Sequence, residues 1–119
     1  MRILLVEDNE DLAGTLLHLL RDPGHEVVRA KASLAVLQLV RDPPYNFDLM
    51  IVGQSTPAEG GADLVEGLIR IGPNVPVILY VDHVDRALLM KARDIGFSVI
   101  RKLSDPSNLL TCARRLLQS

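Results

Sequence analysis

The sequence predicts an α/β fold, a doubly wound parallel sheet with helices on both faces. Three observations carry that prediction. Short apolar runs of strand length alternate five times with stretches whose apolar residues recur at helical spacing. Ile3–Val6 and Leu49–Val52 are continuously apolar, which suits strands covered on both sides. The connections are only a few residues long and rich in turn formers, as compact strand–helix–strand units require.

Taken in order, Ile3–Val6 is a short buried strand ending at Glu7-Asp8. Asp8 or Asn9 can cap the next helix, with Glu10 and Asp11 favourable at its positive end. Leu12, Leu16, Leu19 and Leu20 set its period, and Pro23-Gly24 stops it. His25–Arg29 is a second strand. A helix over about Ser33–Asp42 comes after it, turning Leu34, Leu37 and Val40 (or Ala35 and Leu39) inward before Pro43-Pro44. The third strand, Asp48–Val52, delivers the next residue to the carboxyl edge, where open α/β folds bind ligands. That residue is Gly53, which has no side chain. A turn-rich loop, Gln54–Gly61, then leads to a helix over Ala62–Ile71, closed by Gly72-Pro73-Asn74. Pro76–Val81 is the fourth strand, Asp85–Ile95 the fourth helix with Gly96 as its stop, and Phe97–Arg101 the fifth strand. A last helix runs from Pro106, which suits a first turn, to Leu117.

With 119 residues, 48% of them hydrophobic, the chain is sized for one domain over 1–119 with its own core. Aromatics are 3% and Trp is absent, so aliphatic side chains must fill that core. Thirteen basic against fifteen acidic residues leave neither a nucleic-acid footprint nor a polybasic membrane patch. The opening apolar run is too short for a signal peptide, and no stretch reaches the length of a membrane span. Cys112 is alone among leucines, which excludes an internal disulfide and fits packing in a reducing, cytoplasmic setting. His18, His25 and His83 are scattered without metal-ligand spacing. Gly60-Gly61 lacks the GxGxxG or Walker context of a phosphate cradle.

Several short motifs sit on these elements. Ile3-Leu4-Leu5-Val6-Glu7-Asp8-Asn9 sets an acidic pair and a helix cap at the end of the first strand. Phe47–Val52 leads into a loop with Pro57 and Gly60-Gly61, Val75-Pro76-Val77-Ile78 opens the fourth strand, and Lys102 precedes Asp105-Pro106. Together and in this order they resemble the receiver domain of bacterial response regulators, over essentially the whole chain. The resemblance implies a five-stranded sheet in order 2-1-3-4-5, the flavodoxin-like arrangement. It also implies two-component signal transduction, in which an aspartate ending the third strand takes a phosphoryl group from a histidine kinase.

The position matching that aspartate is Gly53, which has no carboxylate to form an acyl phosphate. The family's small hydroxyl at the end of the fourth strand is matched by Val81, or by Tyr80 with a slip of one. Leu103 replaces the proline after the lysine, and Ile100 stands nearest the fifth-strand aromatic. Glu7 and Asp8 match the pair that helps bind Mg²⁺. Without a third carboxylate they, with the Ser55 carbonyl, imply weak binding or none. Lys102 matches the phosphate-contacting lysine and is expected to pair with Glu7 or Asp8 instead. Asp48 falls at the wrong end of the sheet, and Asp82 and Asp85 fall in the loop before the fourth helix, where Asp85 suits a cap, so none is well placed as a substitute acceptor.

The expected protein is therefore a degenerate receiver, a pseudo-receiver. It is not an enzyme, needs no cofactor, and signals by binding a protein partner without aspartyl phosphorylation. The resemblance implies an output surface made by Asp85–Ile95, Phe97–Arg101 and Pro106–Leu117, open to homodimerisation as well. No nucleic acid and no membrane is expected to bind this domain alone. Many receivers precede an output domain, which would make residues 1–119 the N-terminal part of a longer protein. Two other readings stand beside this one: phosphotransfer at a non-standard acceptor, and a small ligand in the crevice at the strand ends. For the second, Gly53 would open space beside Tyr80, Val81 and Glu7.

Overall fold

The computed structural model describes residues 1–21, 24–31, 36, 40, 46–54, 61–72, 74–102 and 106–118. Among them the elements run β1 (Arg2–Val6), α1 (Glu10–Arg21), β2 (Glu26–Ala30), β3 (Leu49–Gln54) and α2 (Gly61–Ile71). Then come β4 (Val77–Val81), α3 (Arg86–Ile95), β5 (Ser98–Arg101) and α4 (Ser107–Leu117). The expected helix over Ser33–Asp42 lies mostly outside the described residues. Val36 and Val40 are its described part, helical and buried, and Val36 was not among the side chains expected to face inward.

All five strands form one parallel sheet in the order β2-β1-β3-β4-β5. Successive strand side chains point to opposite faces, so residue parity sorts them into two layers. Ile3, Leu5, Leu49, Ile51, Ile78 and Tyr80 meet Leu16 and Leu20 of α1 and Leu109 and Cys112 of α4. Leu4, Val6, Met50, Val52, Leu79 and Val81 face the other way, toward Val36, Val40, Val65 and Leu68 of α2, and Ala92 of α3. Both faces are covered, which is why the central strands are apolar at every position.

Local chemistry fixes the helix ends. Of the two expected caps for α1 it is Asn9 that serves, its Oδ1 accepting the Leu12 amide at 2.9 Å. Asp85 caps α3 by accepting the Leu88 amide at 2.8 Å. Gly96 ends that helix at φ 99°, a left-handed conformation that a β-carbon opposes.

One strand boundary departs from the expected one in a way that matters for the site. β3 runs two residues beyond Asp48–Val52, through Gly53 and Gln54. Gly53 pairs with Tyr80 and Gln54 with Val81, so the glycine lies inside the ladder and not after it. Pairing with β4 overrides the weak strand preference of glycine.

Candidate functional site

At the carboxyl edge, the layer that faces α1 and α4 ends in polar residues. Glu7 continues the parity of Ile3 and Leu5, because its N–H donates to the Ala30 carbonyl at 3.0 Å and extends the β1–β2 ladder by one residue. Beside it on the same face come Gly53 of β3 and then Tyr80 of β4. Lys102 lies just past β5, where its own N–H donates to the Val81 carbonyl. Four residues from four strand ends thus form one row.

Glycine shapes that row. A β-carbon at position 53 would stand 2.7 Å from Glu7 Cδ, with Oε1 nearer still. One of the two would have to shift, because the Glu7 side chain occupies space that any other residue at 53 would claim. The opening expected beside Tyr80, Val81 and Glu7 is therefore filled, and the group that fills it is a carboxylate. Glycine inside a strand weakens it unless something must approach the backbone closely. Here something does.

The carboxylate is buried, with Glu7 only 2% exposed. Taking a charge out of water is costly unless it finds partners. Lys102 Nζ lies 3.4 Å from Glu7 Oε1, an ion-pair distance, and the lysine side chain is 11% exposed. Of the two partners expected for Lys102, it is Glu7 that pairs with it. The same ammonium sits 5.8 Å from the centre of the Tyr80 ring, within cation–π range. Glu7 Oε2 accepts the Asn9 amide at 3.3 Å.

A residue that sequence reasoning missed holds Glu7 from the other side. Arg29 of β2 donates from Nε and Nη2 to the Glu7 carbonyl, at 3.1 and 2.7 Å. Its Nη1 also pairs with Glu10 at 2.9 Å, and Lys31 reaches the same carboxylate at 3.6 Å. The hydrogen bond and charge of Arg29, and after them Lys31, hold the Glu10 carboxyl below the ordinary glutamate range. Nothing local in the sequence announces Arg29, which meets Glu7 across 22 positions.

The other candidate residues have different surroundings. Asp8 is exposed while its neighbour Glu7 is buried. Among the described residues no group of three or more His, Cys, Asp or Glu gathers to hold a metal ion. Magnesium needs several oxygen donors in near-octahedral order, and a buried glutamate committed to a lysine fits that poorly. Val81 is buried in the opposite layer, and Ile100 is half-buried against the same layer as Tyr80. Asp48 sits at the far edge, its Oδ2 accepting the Arg2 amide at 2.7 Å. Asp85 is taken up as a cap, and Asp82 is half-buried after β4. Ser55, Pro57, Gly60, Leu103 and Asp105 lie outside the described residues.

Residues 3–114 match the family model of the response regulator receiver domain. The chain is 36% identical over 99 residues to a response regulator receiver protein of Anaeromyxobacter sp. (strain Fw109-5), covering 83% of this chain and 41% of that one. It is 40% identical over 77 residues to the transcriptional regulatory protein YrkP of Bacillus subtilis (strain 168), covering 65% and 32%. The chain thus spans less than half the length of either relative. In fold it is similar to the non-phosphorylated HemR receiver domain from Leptospira biflexa, at a TM-score of 0.84 and 24% identity, over 99% of this chain and 94% of that one.

Proposed function

This chain belongs to the response regulator receiver domain family, and on that basis we propose that it is a two-component signalling module acting by protein–protein contact, without aspartyl phosphorylation. One observation carries the proposal. Where the resembled family holds its acceptor carboxylate, this chain has Gly53, with the buried carboxylate of Glu7 lying against it and paired to Lys102. A carboxylate nucleophile must meet the phosphoryl donor in the open. Glu7 is covered and its charge is already spoken for. Asp85 and Asp48, taken up elsewhere, give no support to a substitute acceptor.

The face around α3 supports the contact. Leu89 and Met90 are 52% and 49% exposed on the outer side of that helix, and Arg86 and Arg93 flank them. Adjacent exposed apolar side chains rimmed by charge suit a protein partner. β5 beside it is an edge strand, which leaves one side of its ladder unpaired by the sheet. We assign the partner surface to α3, β5 and α4, open to another protein or to a second copy of the chain.

The test is incubation with acetyl phosphate and Mg²⁺, with intact-mass spectrometry as the readout. The expected result is no phosphoryl adduct. A stoichiometric, hydroxylamine-labile adduct would mean that a carboxylate still accepts, and the proposal would fall.

A further inference from the structure

We propose that Gly53 is a seat for the Glu7 carboxylate, and that Arg29, Glu7, Gly53, Tyr80 and Lys102 form a polar strap that holds the five strand ends permanently in one arrangement. The inference rests on the reading that position 53 accepts no phosphoryl group, and adds what stands there instead.

Each link of the strap is a direct contact. Arg29 grips the Glu7 carbonyl from β2 with two N–H groups. Glu7 reaches over Gly53, into space that a β-carbon there would contest. Lys102 then closes the chain twice. Its backbone N–H extends the β4–β5 ladder to the Val81 carbonyl, and its ammonium crosses the Tyr80 ring to the Glu7 carboxylate. The end of β5 is therefore tied to β1 through a side chain seated on β3.

A conformational switch needs a ligand that favours one of two states. Here the anion that would hold Lys102 belongs to the chain itself. That anion needs no binding event, so in the proposed strap the strand ends have no empty state to fall into. Gly53 and Arg29 act through Glu7 and are positioning residues.

The side-chain ammonium of Lys102 offers a readout that general stability does not move. In ¹⁵N–¹H spectra a paired, covered ammonium exchanges slowly enough to be seen, whereas solvated lysines are lost. The wild-type chain is expected to show one such signal. Glu7→Gln and Gly53→Ala should each abolish it and shift the Ser98–Arg101 amides in the same direction. The double variant should shift them no further than Glu7→Gln alone, because both changes break one contact. Lys102→Arg should keep those amides near their wild-type positions, and Lys102→Met should not. If Gly53→Ala does not fold, the Glu7 and Lys102 variants decide the matter. A solvent-exchanging ammonium in the wild type, or β5 amides unmoved by Glu7→Gln, overturns the strap. That failure would leave the functional reading standing if acetyl phosphate still gives no adduct; an adduct with the ammonium signal intact would sink the reading and spare the strap.

Discussion

The two edges of one sheet treat charge in opposite ways. At the amino edge, Arg2 faces Glu26 at 3.6 Å with their side chains 34% and 70% exposed, and the Arg2 guanidinium lies 5.0 Å from the Phe47 ring centre. At the carboxyl edge, Glu7 and Lys102 stand at a similar 3.4 Å but are nearly closed off from water. Distance does not separate the pairs. Water does. An exposed pair keeps its solvation when a partner is removed, while a buried one leaves a charge stranded. The Glu7–Lys102 pair is thus closed off from water, whereas in the Arg2–Glu26 pair the carboxylate stays largely exposed.

Five changes probe that asymmetry. Lys102→Met strands Glu7 and should destabilise the fold by about 3 kcal/mol, read as a lower urea midpoint at unchanged slope. Replacing both partners by apolar residues of similar size should restore most of that loss. If Lys102→Met cost no more than a surface change, the two edges would be alike. Gly53→Ala comes next. Filling a strand glycine ordinarily gains about 0.5–1 kcal/mol, but here the new carbon collides with Glu7. The expected sign is reversed, a loss of about 1–3 kcal/mol in the same urea assay.

Glu26→Gln at the amino edge should change stability by less than about 0.5 kcal/mol, and less again in added salt. The smallest effect concerns Glu10. Its carboxyl is held below the ordinary range by Arg29 and then Lys31, so the folded state binds that proton more weakly than the unfolded chain. The resulting stabilisation is fully present above the ordinary glutamate range and is lost as pH falls through the lowered folded-state value. Carbon-detected NMR of the Glu10 carboxyl should show the downward shift, and Arg29→Met should return it toward ordinary values.

Much of the fold is legible in the residues. The five strands, the Asp85 cap and the Gly96 stop come from local pattern, and the matched motifs imply the strand order 2-1-3-4-5 that the sheet adopts. A lysine without its usual partner is expected to turn to Glu7 or Asp8, and Lys102 pairs with Glu7. What local pattern did not reveal was direction. A glycine after an apolar run looks like the end of a strand, yet Gly53 is paired through to Gln54. Its vacancy looked like a crevice, yet Glu7, which shares the parity of Ile3 and Leu5, swings into it. An isolated glycine in a strand is itself a sign of close backbone approach, and that sign points here to Glu7. Arg29 is different in kind, because its partners depend on how β1 and β2 register.

The decisive measurement for a carboxylate seated on Gly53 is an amide NMR titration with Mg²⁺ and then beryllofluoride, a mimic of the acyl phosphate. With Glu7 so placed and paired to Lys102, the amides of Glu7, Asp8, Gly53 and Lys102 should stay within noise at both stages. Saturable shifts at those residues, spreading into α3 and β5, would show an open pocket that still switches, and would contradict the account.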